Sequence, residues 1–212
     1  MEENNYQIIL YGATGFTGKL CAEYFHSNYP DLNWAIAGRN KEKLENLKTE
    51  LNLDCDIFVA DSEDYEAIQN FVKQTKVVLS AAGPFARYST KVVEACVECK
   101  THYTDITGEN HWVKDLIDEH HEKASEDGTR IIPSCGYDSI PSDMGVFYSV
   151  QQMGKPVKKV TVYHSGQGGV SGGTTETMFT IGPLPKEKRD PAPEQMDKEE
   201  KSSPSVISGD EK

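Results

Sequence analysis

The sequence lacks any apolar run long enough to span a membrane, and residues 2–5 are acidic or polar. A transmembrane helix needs about 20 consecutive apolar residues, and a secretory leader needs an apolar stretch near its start. Basic residues are scarce as well, with 22 Lys and Arg against 34 Asp and Glu, for a net charge of −12. We therefore expect a cytoplasmic protein without a signal peptide or transmembrane segment, and no nucleic acid partner.

Several catalytic and binding patterns are also missing. No Gly-Lys-Ser/Thr follows the first glycines, which excludes a P-loop. No Tyr-x-x-x-Lys occurs, which disfavours a short-chain dehydrogenase that uses that pair. The pair Cys96 and Cys99 has no second cysteine pair at zinc-binding spacing, and it falls late in a predicted helix rather than at a helix N-terminus. We therefore predict reduced thiols and no metal site.

What is present begins with a strand that runs into three glycines. The strand covers residues 6–11, the glycines are Gly12, Gly15 and Gly18, and a helix-compatible stretch follows. In this context the first glycine permits a tight turn, the second allows close approach of a pyrophosphate, and the third lets helix and strand pack closely. The helix N-terminus then offers N–H groups and a positive dipole end to phosphate. The pattern predicts a dinucleotide site.

The end of the second predicted strand indicates which dinucleotide binds. An NAD site typically has Asp or Glu there, bonded to the ribose hydroxyls, whereas this chain has Arg39. A guanidinium matches a 2′-phosphate that a carboxylate would repel. The sequence therefore favours NADP(H), with NAD(H) left open because Glu42 lies within reach of a ribose.

Strands and helices alternate through the first two thirds of the chain, which predicts an α/β fold with a Rossmann-type, doubly wound parallel sheet. Further strands are predicted at 33–37, 55–59, 77–80, 102–106 and 130–132, with helices at 41–51, 65–73, 89–100 and 111–125. Beyond this domain we predict the start of a truncated second α/β domain, with a strand at 157–164, a glycine loop at 165–174 and a helix start at 175–181. The polar, proline-rich residues that follow predict a disordered C-terminal tail, with Ser203-Pro204 as its one candidate modification site. The predicted boundaries are 1–135, 136–182 and 183–212.

Five motifs then occur in a specific order. They are Tyr-Gly-Ala-Thr-Gly-Phe-Thr-Gly at 11–18, Ala-Gly-Arg-Asn at 37–40, Ala-Gly-Pro-Phe at 82–85, His-Tyr-Thr-Asp-Ile-Thr-Gly-Glu at 102–109 and Gly-Tyr-Asp-Ser-Ile-Pro-Ser-Asp at 136–143. Over roughly residues 6–182 the set resembles the saccharopine dehydrogenase-like oxidoreductases, which include the trans-acting enoyl reductases. The resemblance implies an NAD(P)-binding Rossmann domain, followed by an α/β domain that completes the substrate cleft. It also implies a reductase of a C=C or C=N bond in a small-molecule or lipid-like substrate, and hence a role in lipid metabolism. With Arg39, the predicted function is that of an NADP(H)-dependent oxidoreductase.

The resemblance also implies which residues form the site. Arg39 would meet the 2′-phosphate, and Asp61 would lie near adenine. The proton donors follow instead from their place near the strand ends, where Tyr88 and Asp138 are the predicted catalytic residues and Asp105 and Tyr137 are further candidates. For Tyr137 and Asp138 a structural turn that caps the next helix stays open as the alternative. The remaining predicted cofactor-binding residues surround the pyrophosphate or the nicotinamide ribose: Gly12, Thr14, Gly15, Phe16, Thr17, Gly18, Ala82, Gly83 and Pro84.

The length of the chain departs from the family, whose members are roughly twice as long. This leaves three functions open: an active reductase, a catalytically inactive NADP(H)-binding or interaction module, and a fragment of a longer reductase. Some family members associate with lipid droplets or membranes, so the resemblance allows such peripheral association here. It also leaves open a homo-oligomer and a partner that supplies the missing C-terminal domain.

Overall fold

A computed structural model describes residues 5–165, 169, 171–189 and 191. The six strands are β1 (Tyr6–Tyr11), β2 (Trp34–Gly38), β3 (Asp56–Val59), β4 (Thr75–Ser80), β5 (His102–Asp105) and β6 (Ile131–Ile132). The nine helices of the described residues are α1 (Phe16–Asn28), α2 (Lys41–Glu50), α3 (Tyr65–Val72), α4 (Phe85–Tyr88), α5 (Thr90–Cys99), α6 (Asn110–Asp127), α7 (Ile140–Met153), α8 (Gly172–Ile181) and α9 (Lys186–Arg189).

The strands form one parallel sheet in the order β3-β2-β1-β4-β5-β6. The order reverses at β1, so β1 and β4 are neighbours although two strands separate them in the sequence. Ile9 of β1 lies opposite Ala35 on one side and Val78 on the other. In such sheets ligands bind at the carboxyl ends of the strands where the order reverses.

The core is divided by the sheet, because successive side chains of a strand point to opposite faces. Leu10 packs with α1 and α2, and the residues of that face include Ala22, Leu44 and Leu47. Ile9 packs on the other face, which carries α3, α5 and α6. The predicted doubly wound sheet is therefore confirmed.

Helix ends follow local capping. Asn40 accepts the N–H of Lys43 with its side chain and caps α2, and Asp64 does the same for α3 through the N–H of Ala67. Gly128 ends α6 in the left-handed conformation, where a glycine is favoured. Pro141 lies in the first turn of α7, where its missing N–H costs no helical hydrogen bond.

Two sequence predictions beyond residue 150 are wrong. Residues 157–164 have no regular secondary structure, and Val160 and Val162 are about half exposed, because no neighbouring strand in the described part of the chain pairs with them. The predicted glycine loop at 165–174 ends early, since α8 already begins at Gly172. Ser171 favours this early start by accepting the N–H of Thr174 with its hydroxyl.

The predicted tail, 183–212, lies mostly outside the described residues. Its described part contains the helical turn Lys186–Arg189, whereas the sequence predicts no regular structure there. Ser203 and Pro204 lie outside the described residues. Within the described chain, no helix combines the length and the apolar character that a membrane crossing requires.

Candidate cofactor site

The turn between β1 and α1 can be made only with a glycine at its first position. Gly12 has φ +80°, and a Cβ placed on it would lie 2.7 Å from the amide nitrogen of Ala82. Its N–H donates to the carbonyl of Ala37 at 2.9 Å. The first glycine therefore allows β1 to turn tightly while it contacts the loop after β4.

The third glycine is required by close packing rather than by its own conformation. A Cβ on Gly18 would lie 2.2 Å from the carbonyl oxygen of Gly12 and 2.8 Å from the Cα of Ala13. No side chain fits there, so α1 lies directly against the end of β1. The N-terminus of α1 is thereby held at the carboxyl edge of the sheet.

The second glycine leaves open the space in which a cofactor would lie. Gly15 is the residue before α1, and a Cβ on it would meet only the carbonyl oxygen of Gly12, at 3.4 Å. No side chain caps α1, and its first turn contains no acidic residue. Thr14, Gly15 and Phe16 are exposed and Thr17 is half-buried. Uncapped N–H groups beside an open surface fit a pyrophosphate.

The residues predicted to meet the 2′-phosphate and the adenine follow two neighbouring strands of the sheet. Arg39 directly follows β2, and Asp61 follows β3 by two residues. Tyr11, the last residue of β1, is affected by both: burial raises its pKa to about 12, the Asp61 carboxylate adds to this increase, and the Arg39 guanidinium opposes it. Arg39 and Asp61 thus lie at the carboxyl edge of the sheet, and their roles towards the cofactor stay predictions.

A short loop follows β4 at residues 82–84 and is held by two buried hydroxyls. The Oγ atoms of Ser80 and Ser89 are 2.9 Å apart. Ser80 accepts the N–H of Ala82 at 3.3 Å, and Ser89 donates to the carbonyl of Ala82 at 3.4 Å. Pro84 is buried and precedes α4. The loop therefore presents its backbone in a fixed position next to the glycine turn.

Two arginines approach the ring of Tyr88. The Cζ atom of Arg39 is 5.7 Å from the centre of the Tyr88 ring, and that of Arg87 is 5.1 Å from it. Arg87 also approaches Glu176 of α8, with 3.8 Å between Nη1 and Oε1. The Tyr88 ring is therefore in contact with the arginine predicted to bind the 2′-phosphate, and its role as a proton donor stays a prediction.

Asp138 lies in the turn before α7. Its side chain is exposed, and its Oδ1 atom lies 2.9 Å from the position that a Cβ on Gly136 would take. The neighbouring Tyr137 is 86% exposed. The role of Asp138 as a proton donor also stays a prediction.

Asp105, a further candidate donor, is used within the fold. Its Oδ1 accepts the N–H groups of Thr107 and Ser134, each at 2.9 Å, and its Oδ2 accepts the hydroxyl of Tyr103 at 2.9 Å. Burial raises the pKa of Asp105, while these hydrogen bonds oppose the increase. The carboxylate joins the end of β5 to the chain that follows β6, so its role is structural.

Sequence reasoning missed two residues at this edge. Glu109 is fully buried, and its carboxylate accepts the N–H groups of Phe85 and Ala86. Arg87 adds a second cation beside Tyr88. Glu109 closes the quoted motif at 102–109, but nothing in the local pattern indicates that it reaches a loop 24 residues earlier.

Comparison with known proteins identifies the family. The model of the saccharopine dehydrogenase NADP-binding domain matches residues 8–132, which is more than half of the chain. The chain belongs to the saccharopine dehydrogenase family. Its first domain is therefore an NADP-binding domain, in agreement with the residue at the end of β2.

Curated relatives support the same assignment. A trans-acting enoyl reductase of Mycobacterium leprae is 39% identical over 149 residues, covering 69% of this chain and 36% of the relative. A Mycobacterium tuberculosis relative is 35% identical over 184 residues, covering 83% of this chain and 44% of its own length. The chain thus spans less than half the length of these curated relatives.

A solved structure supports the fold. The apo saccharopine dehydrogenase (L-Glu forming) of Saccharomyces cerevisiae superimposes with a TM-score of 0.58 at 16% identity, covering 69% of this chain and 31% of that one. At this identity the likeness shows the architecture and not the substrate.

Proposed function

We propose that this chain carries the cofactor-binding part of an NADPH-dependent oxidoreductase that transfers a hydride to a C=C or C=N bond of a lipid-linked substrate. The observation that carries this proposal is the corner at Gly12, Gly15 and Gly18, with an uncapped helix N-terminus beside open space. The enoyl reductase name of the Mycobacterium leprae relative supports a C=C substrate.

Each part of the site has a proposed role. The glycine corner, with Thr14, Phe16 and Thr17, holds the pyrophosphate; Arg39 meets the 2′-phosphate, and Asp61 lies near adenine. The loop of Ala82, Gly83 and Pro84 supports the nicotinamide ribose. Bound NADPH would supply the hydride, whereas the protein supplies orientation and a proton, for which Tyr88 and Asp138 are the proposed donors.

The proposal includes a division of the chain at residue 135. Residues 1–135 form the NADP-binding domain, residues 136–182 begin a substrate domain, and residues 183–212 form a polar tail. Because the chain spans less than half of its curated relatives, we propose that a longer protein, a partner or a second copy of this chain completes the substrate wall.

A second candidate, an NADP(H)-binding or interaction module without turnover, is favoured by one observation. No residue of α7 or α8 is buried, and large apolar side chains stay in contact with solvent, among them Tyr148 at 65% and Phe179 at 78% exposure. A closed, dry substrate cleft usually accompanies hydride transfer. Such a surface would instead suit a partner.

One titration followed by one kinetic assay tests both candidates. NADPH is titrated into the purified chain, and enoyl thioesters of increasing acyl length are then added while the absorbance of NADPH is followed. We expect NADPH binding, and for the reductase a loss of absorbance that depends on the acyl chain. Binding without oxidation would favour the module, and absence of binding would refute both candidates.

A further inference from the structure

Glu109 is a buried carboxylate with an unusual set of partners. Its side chain is completely removed from solvent, its Oε1 accepts the N–H of Phe85 at 2.7 Å, and its Oε2 accepts the N–H of Ala86 at 3.1 Å. Hydrogen bonds to an ionised carboxylate are roughly twice as strong as neutral ones. Taking a carboxylate out of water is costly, so such an arrangement persists only where these bonds offset that cost.

The two amides are the first two of α4, a helix of only four residues. The first N–H groups of any helix have no partner within the helix. Pro84 precedes them and has no N–H to contribute. Glu109 therefore satisfies the amides that directly follow the loop at 82–84, and it fixes both the position and the direction in which α4 leaves that loop.

Glu109 is itself held firmly. Its backbone N–H donates to the Oγ1 of Thr107 at 3.1 Å, and its carbonyl accepts the N–H groups of Trp112 and Val113 in the first turn of α6. The Trp112 ring stacks on that of Phe85, with 6.2 Å between the ring centres. The position of α4 is thus tied to α6 and to the end of β5.

We propose that Glu109 is a positioning residue for the nicotinamide half of the cofactor cleft. Its two bonds hold the backbone at 82–84 against the glycine corner, where Ala82 already contacts Gly12. This inference rests on the proposed NADPH site. It adds that the nicotinamide ribose is oriented through a carboxylate that does not itself touch the cofactor.

If Glu109 served only to stabilise the fold, its replacement would change ligand binding in a different way. Loss of overall stability affects the adenosine and nicotinamide halves of the site alike. Loss of loop position weakens binding in the half that the loop contacts more than in the other half. The adenosine half can be measured alone with 2′,5′-ADP, which carries the 2′-phosphate but no nicotinamide.

The test compares NADPH and 2′,5′-ADP by calorimetry in the wild type, in Glu109→Gln and in a control, Glu94→Gln. The amide introduced by Glu109→Gln can accept only one of the two N–H groups and would turn its own NH₂ towards the other. Glu94 is exposed on α5, so its variant makes the same charge change at the surface. For Glu109→Gln we expect NADPH binding to weaken about tenfold, the effect of one charge-assisted hydrogen bond. Binding of 2′,5′-ADP should weaken by a clearly smaller factor, since α4 meets Arg39 through the Tyr88 ring while the loop at 82–84 adjoins the glycine corner.

Equal weakening of both ligands, or of neither, would overturn the positioning role. A wild type that binds neither ligand would refute the NADPH site itself, which is a separate outcome. If Glu109→Gln does not fold, hydrogen exchange of backbone amides in the wild type tests the positioning role instead. We then expect NADPH to slow exchange at Phe85 and Ala86 while 2′,5′-ADP does not, and equal slowing by both ligands, or by neither, would overturn the proposal.

Discussion

Replacing Arg39 with Ala should remove most of the preference for NADPH over NADH. Arg39 is exposed at the end of β2, and its guanidinium lies over the ring of Tyr88. A cation–π contact of this kind is electrostatic and does not require an N–H donor, so the guanidinium can still donate to a 2′-phosphate. The substitution removes these donors and one positive charge without disturbing the buried core.

The size of the effect follows from the exposure of the guanidinium. A hydrogen bond to a charged group contributes about 1.5–3 kcal/mol. Screening with a Debye length of about 10 Å at 0.1 M salt keeps an exposed pair near the lower limit. Each 1.4 kcal/mol corresponds to a factor of ten in affinity, so we expect NADPH binding to weaken about 10- to 30-fold.

Calorimetric titration of NADPH and NADH into the wild type and Arg39→Ala measures the effect. NADH binding should change by less than about twofold, since NADH carries no 2′-phosphate, and the NADPH effect should shrink at high salt. Arg130→Ala is the matched control. Arg130 is also exposed, but it precedes β6 and so lies at the opposite, amino end of the strands.

Equal losses for NADPH and NADH would refute the reasoning, since the guanidinium would then support the whole site rather than the 2′-phosphate. Unchanged NADPH binding would equally refute it. A loss of the same size in Arg130→Ala would mean that overall charge, and not the position of Arg39, governs affinity.

Three further predictions test other parts of the structure. Gly18→Ala should prevent folding or destabilise the protein strongly, whereas Gly15→Ala should melt normally but lose NADPH binding. Of these two glycines, Gly18 is the one that lacks room for a Cβ within the protein itself. Asp105→Ala should lower the free energy of unfolding by about 2–4 kcal/mol, since the buried N–H of Thr107, the part-buried N–H of Ser134 and the buried hydroxyl of Tyr103 lose this acceptor. Asp105→Asn should cost less because its amide oxygen still accepts both N–H groups. Cys96 should resist alkylation of the native protein at neutral pH, because burial raises the pKa of its thiol well above the usual value.

Each of these predictions has a defined contrary result. Thermal melting and NADPH titration test the glycine prediction, and the same behaviour of Gly15→Ala and Gly18→Ala would contradict it. Burial raises the pKa of Asp105 from 3.8, so its ionisation costs stability as pH rises from the unfolded pKa through the native one. Denaturation of the wild type and Asp105→Asn across that range should therefore show a larger loss of stability in the wild type, and an equal loss in both would contradict the second prediction. Mass spectrometry after alkylation tests the Cys96 prediction. Alkylation of Cys96 in the native protein as fast as in denaturant would contradict it.

Much of the fold could be predicted because its signals are local. The apolar strands, the helices between them and the three glycines are each readable within a short window, and the parallel sheet follows from their alternation. The prediction failed at 157–164, where alternating apolar residues resemble a strand. A strand requires a neighbour to bond with, and the described chain provides none.

The cofactor type is also a local signal, since one residue at the end of β2 distinguishes a 2′-phosphate from a free hydroxyl. The contacts that shape the site are not local. Arg39 meets Tyr88 across 49 positions of the sequence (88 − 39), and Glu109 meets Phe85 across 24. Short-range spacing therefore encodes the strands, the helices and the phosphate-binding corner. Only packing of distant elements decides which buried carboxylate reaches which backbone amide, because that depends on how α4, α6 and the sheet lie against one another.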